Sequence, residues 1–204
     1  MTQTQSNPKT DFSKIEHKTA RQVFDRFPFP DDLRALHTGQ PTALEFFNLL
    51  LAKENHPAAI TFLAFALPKK EAVSWAALCT KLAGGPDGGP LPPKQAAALQ
   101  ATQRWVQSPT DENRRAAYTA AEAATFGTPA GCVALAAFLS GGSLAPPDLQ
   151  AVPPPEYACG QAAGSAIVIA GIVSSPEKAP QKYARFLAEG FAIASGKPPT
   201  DKPL

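Results

Sequence analysis

The chain of 204 residues is poor in valine and isoleucine, with 13 of them together against 38 alanines. That scarcity starves any large β-sheet of the branched residues that pack best on a pleated surface. Cysteine is scarce as well: Cys79, Cys132 and Cys159 stand in apolar surroundings, and their spacing fits no metal or redox motif, so buried free thiols are expected. Neither sign of charge dominates, since 19 Lys and Arg face 17 Asp and Glu for a net charge of +2. Proteins that grip phosphates cluster their cations. The densest cluster here is Arg114-Arg115, beside Asp111 and Glu112, which reads as solvated helix surface, and no nucleic-acid partner is expected.

Long apolar runs are also lacking. The best is Tyr157 to Val173, which carries no charge and holds the small-xxx-small pair Gly160 and Gly164. Its alanines, glycines, Gln161 and Ser165 leave it short of the roughly 20 strongly apolar residues of a membrane span, so a buried central helix is expected and no membrane partner. Met1 to Lys18 is polar without an apolar core, so no secretory signal is expected and a cytoplasmic location is. His17, His37 and His56 have no ligand or base partner at helical spacing, and no nucleophile elbow occurs. No catalytic, cofactor-binding or metal-binding residue is therefore assigned.

Proline is abundant, at 22 residues. With glycine it makes up roughly 18% of the chain, below the share typical of low-complexity disorder. Most prolines stand just ahead of apolar-periodic runs, where the first helical turn has no use for their missing N–H. Ser108-Pro109, Thr128-Pro129 and Ser175-Pro176 add a capping hydroxyl, and Gln40-Pro41, His56-Pro57 and Leu67-Pro68 are weaker versions. Behind them lie helical faces such as Leu44, Phe47 and Leu51, or Leu99, Thr102, Trp105 and Val106. One face is nearly all alanine (Ala117, Ala120, Ala121, Ala124), which lets helix axes approach closely. The expected fold is all-α: an irregular, solenoid-like bundle of helical hairpins with eight or nine helices, a single domain over residues 19–195 between mobile tails at 1–18 and 196–204.

Two segments stand outside this pattern. Ser140-Gly141-Gly142-Ser143 superficially resembles a phosphate loop, but a helix precedes it and the next lysine is Lys178, so a helix C-terminus with a left-handed glycine is the better reading. Pro146-Pro147 and Pro153-Pro154-Pro155 favour polyproline II, either as an internal strap or as an exposed partner motif. Phe27-Pro28-Phe29-Pro30 poses the same choice.

A set of local motifs resembles a bacterial family of unknown function encoded among type VI secretion genes. The matching residues are Glu71-Ala72-Val73 with Trp75-Ala76 and Leu78-Cys79, then Trp105-Val106 with Pro109-Thr110 and Glu112 to Ala117. Thr128-Pro129-Ala130-Gly131 and the long stretch Ser140 to Pro147 with Val152 to Pro155 complete it, within residues Thr42 to Gly196. The chain departs at Cys132 and Leu139, where the family has tryptophan. The resemblance implies a cytoplasmic, non-enzymatic accessory protein, an adaptor or chaperone-like loader whose protein partner is a spike, adaptor or effector component. The candidate protein-binding surface is Trp105, Arg114, Arg115, Ser140, Gly141, Gly142, Ser143, Leu144, Pro146 and Pro147. Two alternatives stay open: an effector or hydrolytic enzyme whose site assembles from scattered residues, and an immunity-type binding module. The oligomeric state is left open.

Overall fold

A computed structural model describes residues 12–199 except 16, 28 and 86. Ten α-helices follow in order: α1 Ala20–Phe24, α2 Asp31–Ala35, α3 Ala43–Ala52, α4 His56–Ala66, α5 Lys69–Ala83, α6 Pro93–Gln107, α7 Asp111–Ala124, α8 Pro129–Phe138, α9 Ala158–Ile172 and α10 Ala179–Ala194. A short 3-10 turn, Pro176–Lys178, leads into α10. Among the described residues no β-strand forms, and Thr19 and Thr42 make an isolated bridge. The all-α class is as expected. The count exceeds eight or nine because α1 and α2 have five residues each, too few to show a helical period.

Helix starts follow the capping chemistry, with some shifts in register. Thr128 accepts a hydrogen bond from the Gly131 N–H at 3.1 Å, with Pro129 at the first helical position. At α7 the cap is Thr110, which accepts from the Asn113 N–H, rather than Ser108 two residues earlier. Ser175 makes no capping bond, and its proline opens the 3-10 turn. Thr42 and Glu45 close a reciprocal capping box on α3, as Thr19 and Gln22 do on α1.

The apolar run around residues 157–173 becomes α9, which packs against α4, α5, α8 and α10. Gly160 and Gly164 lie against α4, close enough that a Cβ on Gly160 would stand 3.0 Å from the Phe65 ring. On α7, Ala117, Ala121 and Ala124 are buried as their spacing suggested. One continuous core runs from Phe12 to Ala194.

The expected tails need correction at both inner ends. Phe12 and Ile15 are buried, the Phe12 ring sits edge-on to Phe47 and Phe191 at 5.5 Å each, and the Lys14 N–H donates to the Ala194 carbonyl. Two apolar side chains in an otherwise polar stretch are enough to dock it. At the other end Gly196 takes φ +71° and the Lys197 N–H donates to Ala192, which closes α10. Residues 1–11 and 200–204 lie outside the described residues. In the Phe27–Pro30 segment, Phe29 is buried and Phe27 stacks on Phe65 at 4.5 Å, so both rings pack internally.

Candidate functional site

The segment between α8 and α9 is built as a closed loop. The Ser140 hydroxyl donates to the Ala137 carbonyl at 2.7 Å; Gly142 adopts the left-handed φ of +66°, but it stands three residues beyond the Leu139 C-cap and so turns the loop instead of closing the helix as expected. Ser143 then ties the neck: its Oγ accepts from the Ala145 N–H at 3.1 Å and from the Val152 N–H at 3.0 Å. The Leu144 N–H donates to the Val152 carbonyl at 2.8 Å. Pro146-Pro147 do not continue as polyproline II. The Leu149 N–H donates to the Pro146 carbonyl at 3.1 Å, a β-turn with proline at the second position, where its fixed φ is suited.

Two arginines of α7 brace this neck. The Arg114 guanidinium donates to the Phe138 carbonyl and the Ser143 carbonyl at 2.8 Å each, and to Asp111 Oδ1 at 2.6–2.8 Å. It therefore caps the C-terminus of α8, where unpaired carbonyls favour a cation. Its carbon centre also lies 4.6 Å from the Phe138 ring centroid. Arg115 donates to Asp111 Oδ2 at 2.7 Å and to the Ala145 carbonyl at 2.9 Å. The hydrogen bonds from Arg115 and then Arg114 hold the Asp111 carboxyl below the usual carboxylate range. Gly142 has a second reason to lack a side chain, since a Cβ there would stand 2.8 Å from Arg114 Nε.

Placement corrects part of the expected surface. Trp105 is buried in the core on α6, and Arg114 is 4% exposed beneath the loop, so neither presents itself to a partner. Arg114 is not solvated helix surface because it satisfies two backbone carbonyls that would otherwise be left bare. Arg115 and Ser140, Gly141, Ser143 and Leu144 are half-buried, while Gly142, Pro146 and Pro147 are exposed. The structure brings Arg114, Arg115, Gly142, Ser143 and Leu144 together and leaves Trp105 apart from this hydrogen-bonded set.

Several residues of the loop and its brace lie outside the expected surface. Asp111 joins the two arginines, a role signalled by its spacing of three and four residues before them. Leu149 and Val152 stand out from the loop at 61% and 50% exposure, and the only hint was two apolar residues among prolines and polar neighbours. Asp148 sits exposed between Pro147 and Leu149.

Other candidate chemistry is quieter. The thiols of Cys79, Cys132 and Cys159 are buried and free. Burial raises all three, Cys159 to about 12, which keeps them protonated and poorly nucleophilic. Among the described residues no group of three or more His, Cys, Asp or Glu could hold a metal ion. Among the described residues no single helix is long and apolar enough to cross a membrane. A groove of about 610 Å³ runs past Phe27, Phe29, Leu33, Pro57 and Val168, with Asp32 its only charged lining residue among those described.

Fold and loop together define an all-helical body that carries one braced, outward-facing loop. The chain belongs to a family of unknown function (DUF6931), whose sequence pattern it matches over residues 46–194, from α3 through the loop to the last residue of α10. Comparison with curated proteins and with solved structures finds no match.

Proposed function

We propose that the chain is a non-enzymatic accessory protein of a type VI secretion system. It works in the cytoplasm as an adaptor or chaperone-like loader for a spike or effector component. The secretion context rests on the resemblance carried by Trp105-Val106, Thr128 to Gly131 and Ser140 to Pro155. The observation that carries the binding role is the loop from Ser143 to Val152, which is closed at its neck and exposes Leu149 and Val152. A loop that only linked α8 to α9 would not need to hold Leu149 and Val152 out in water on a fixed turn. Positioned loops on rigid scaffolds are where binding residues concentrate.

The test is affinity purification of the tagged full-length chain from its native bacterium, followed by identification of what co-purifies. Spike, adaptor or effector components should be enriched over an unrelated tagged helical protein of similar charge. Recovery of none of them overturns the assignment. A tight one-to-one complex with a single toxin would instead support the immunity-type reading.

A further inference from the structure

Resting on that binding role, we infer that the tip from Pro146 to Val152 docks as a knob into a concave apolar pocket of a different protein, a pocket edged by a lysine or arginine that meets Asp148. Leu149 is the most exposed large apolar side chain among the described residues, and Val152 stands on the same loop. A flat surface would leave a side chain on a protruding turn partly wet, whereas a cleft removes it from water on several sides, as anchor residues require. The turn hydrogen bond, the Ser143 neck and the arginine brace fix the loop before it binds, so little ordering remains to oppose association.

The prolines narrow the mode of recognition. Pro146, Pro147 and Pro153 supply no N–H, and the Leu149, Val152, Leu144 and Ala145 N–H groups are already used within the loop. Strand addition is therefore unsuited, and side-chain shape must carry the contact.

Charge identifies the pocket's rim. From Thr128 to Ser175 the charged residues are Asp148 and Glu156. Glu156 is bonded to Arg26 at 2.7 Å, while no ion pair or side-chain hydrogen bond among the described residues uses Asp148. Burying that carboxylate without a cation would oppose binding. The groove past Phe27 and Phe29 offers Asp32 and no cation, whereas the hollow past Pro92, Pro93 and Ala123 is edged by Lys94, so a second copy of this chain is the competing occupant that the crosslink must separate from the different partner the binding role calls for.

A photo-crosslinking amino acid, p-benzoylphenylalanine, placed at Leu149 in the full-length chain and expressed in the native bacterium tests this. The control carries it at Asn48, an exposed position on α3. The expected result is an adduct at the loop and not at the control, mapped by mass spectrometry to an apolar concavity with lysine or arginine at its edge. With that partner purified, Leu149→Asp and Asp148→Lys should each weaken binding on the order of tenfold or more, while leaving the melting temperature unchanged because both side chains are exposed. An adduct equal at the control position, an adduct between two copies, or unchanged affinity of both variants overturns the inference. An adduct fitting the pocket but on a protein unrelated to secretion overturns the proposed function and leaves the knob standing. Recovery of spike or effector components with Leu149→Asp as with the native chain does the reverse.

Discussion

The chain packs its two ends by different means. Between Phe12 and Phe65 the core is aromatic: Phe24 alone meets Phe29 at 4.8 Å, Phe46 at 5.0 Å and Phe62 at 5.9 Å, all edge-on. From α6 to α9 the core is dominated by small residues, with Ala98, Ala117, Ala130, Ala163 and Ala166 each fully buried around a few large ones such as Trp105, Val133 and Ile167. Rings fill the space where α1 and the turn after it meet α3 and α4. Small residues bring helix backbones together, so that the structure depends on backbone fit and not on side-chain volume. The loop stands on the second kind of region. Because α7 and α8 pack closely there, Arg114 reaches across to the last turn of α8 and the neck beyond it.

That contrast can be broken from either side. Removing volume should hurt the aromatic region most: Phe62→Ala is expected to cost about 3–5 kcal/mol in denaturant unfolding, because the ring is completely buried among other rings. Taking away the brace comes next. Arg114→Ala leaves the Phe138 and Ser143 carbonyls without their cation, an expected loss of about 2–3 kcal/mol. Hydrogen exchange at Leu144 and Val152 should accelerate in that variant more than exchange in α4.

Adding volume should hurt the alanine region instead. A Cβ on Gly131 would stand 2.0 Å from the Thr125 carbonyl oxygen, a backbone atom that cannot swing aside. Gly131→Ala is therefore expected to destabilise by about 1–3 kcal/mol. Equal tolerance of Gly131→Ala and of an alanine-for-glycine change at exposed Gly127 would contradict the backbone-fit account.

Acid offers a gentler probe of the brace. The Asp111 carboxyl lies below its ordinary value of about 3.9 when folded, so its contribution is fully present above that value and is lost as pH falls through the folded one. Amide resonances of Ala145 and Val152 should hold steady from neutral pH down to the ordinary Asp range and shift together only below it. The smallest effect belongs to the tip: Leu149→Ser should change stability by less than about 0.5 kcal/mol, since a 61% exposed side chain supports little of the fold.

How much of this the sequence reveals follows from the range of each interaction. The alanine face of α7 and the Thr128-Pro129 start are local, written within a few residues, and both were legible. The start of α7 was misplaced because Ser108-Pro109 and Thr110 offer competing hydroxyl caps, and the structure uses the second. Burial of Arg114 was hidden because its carbonyl partners lie 24 and 29 residues away, so the arginine pair looked like any charged helix surface. The docked Phe12 and Ile15 were masked by polar neighbours. The prolines named the loop as unusual, but whether they extend or turn depends on Ser143, whose hydroxyl closes the neck only after folding.

The most direct test of the account is the loop's effect on what the chain holds in its own cell. Native and Leu149→Asp chains, equally expressed and equally stable, would be purified from the same bacterium and their bound proteins quantified side by side. Secretion spike, adaptor or effector components should accompany the native chain and fall at least tenfold with the variant. Equal recovery by both chains would contradict a binding role for the loop.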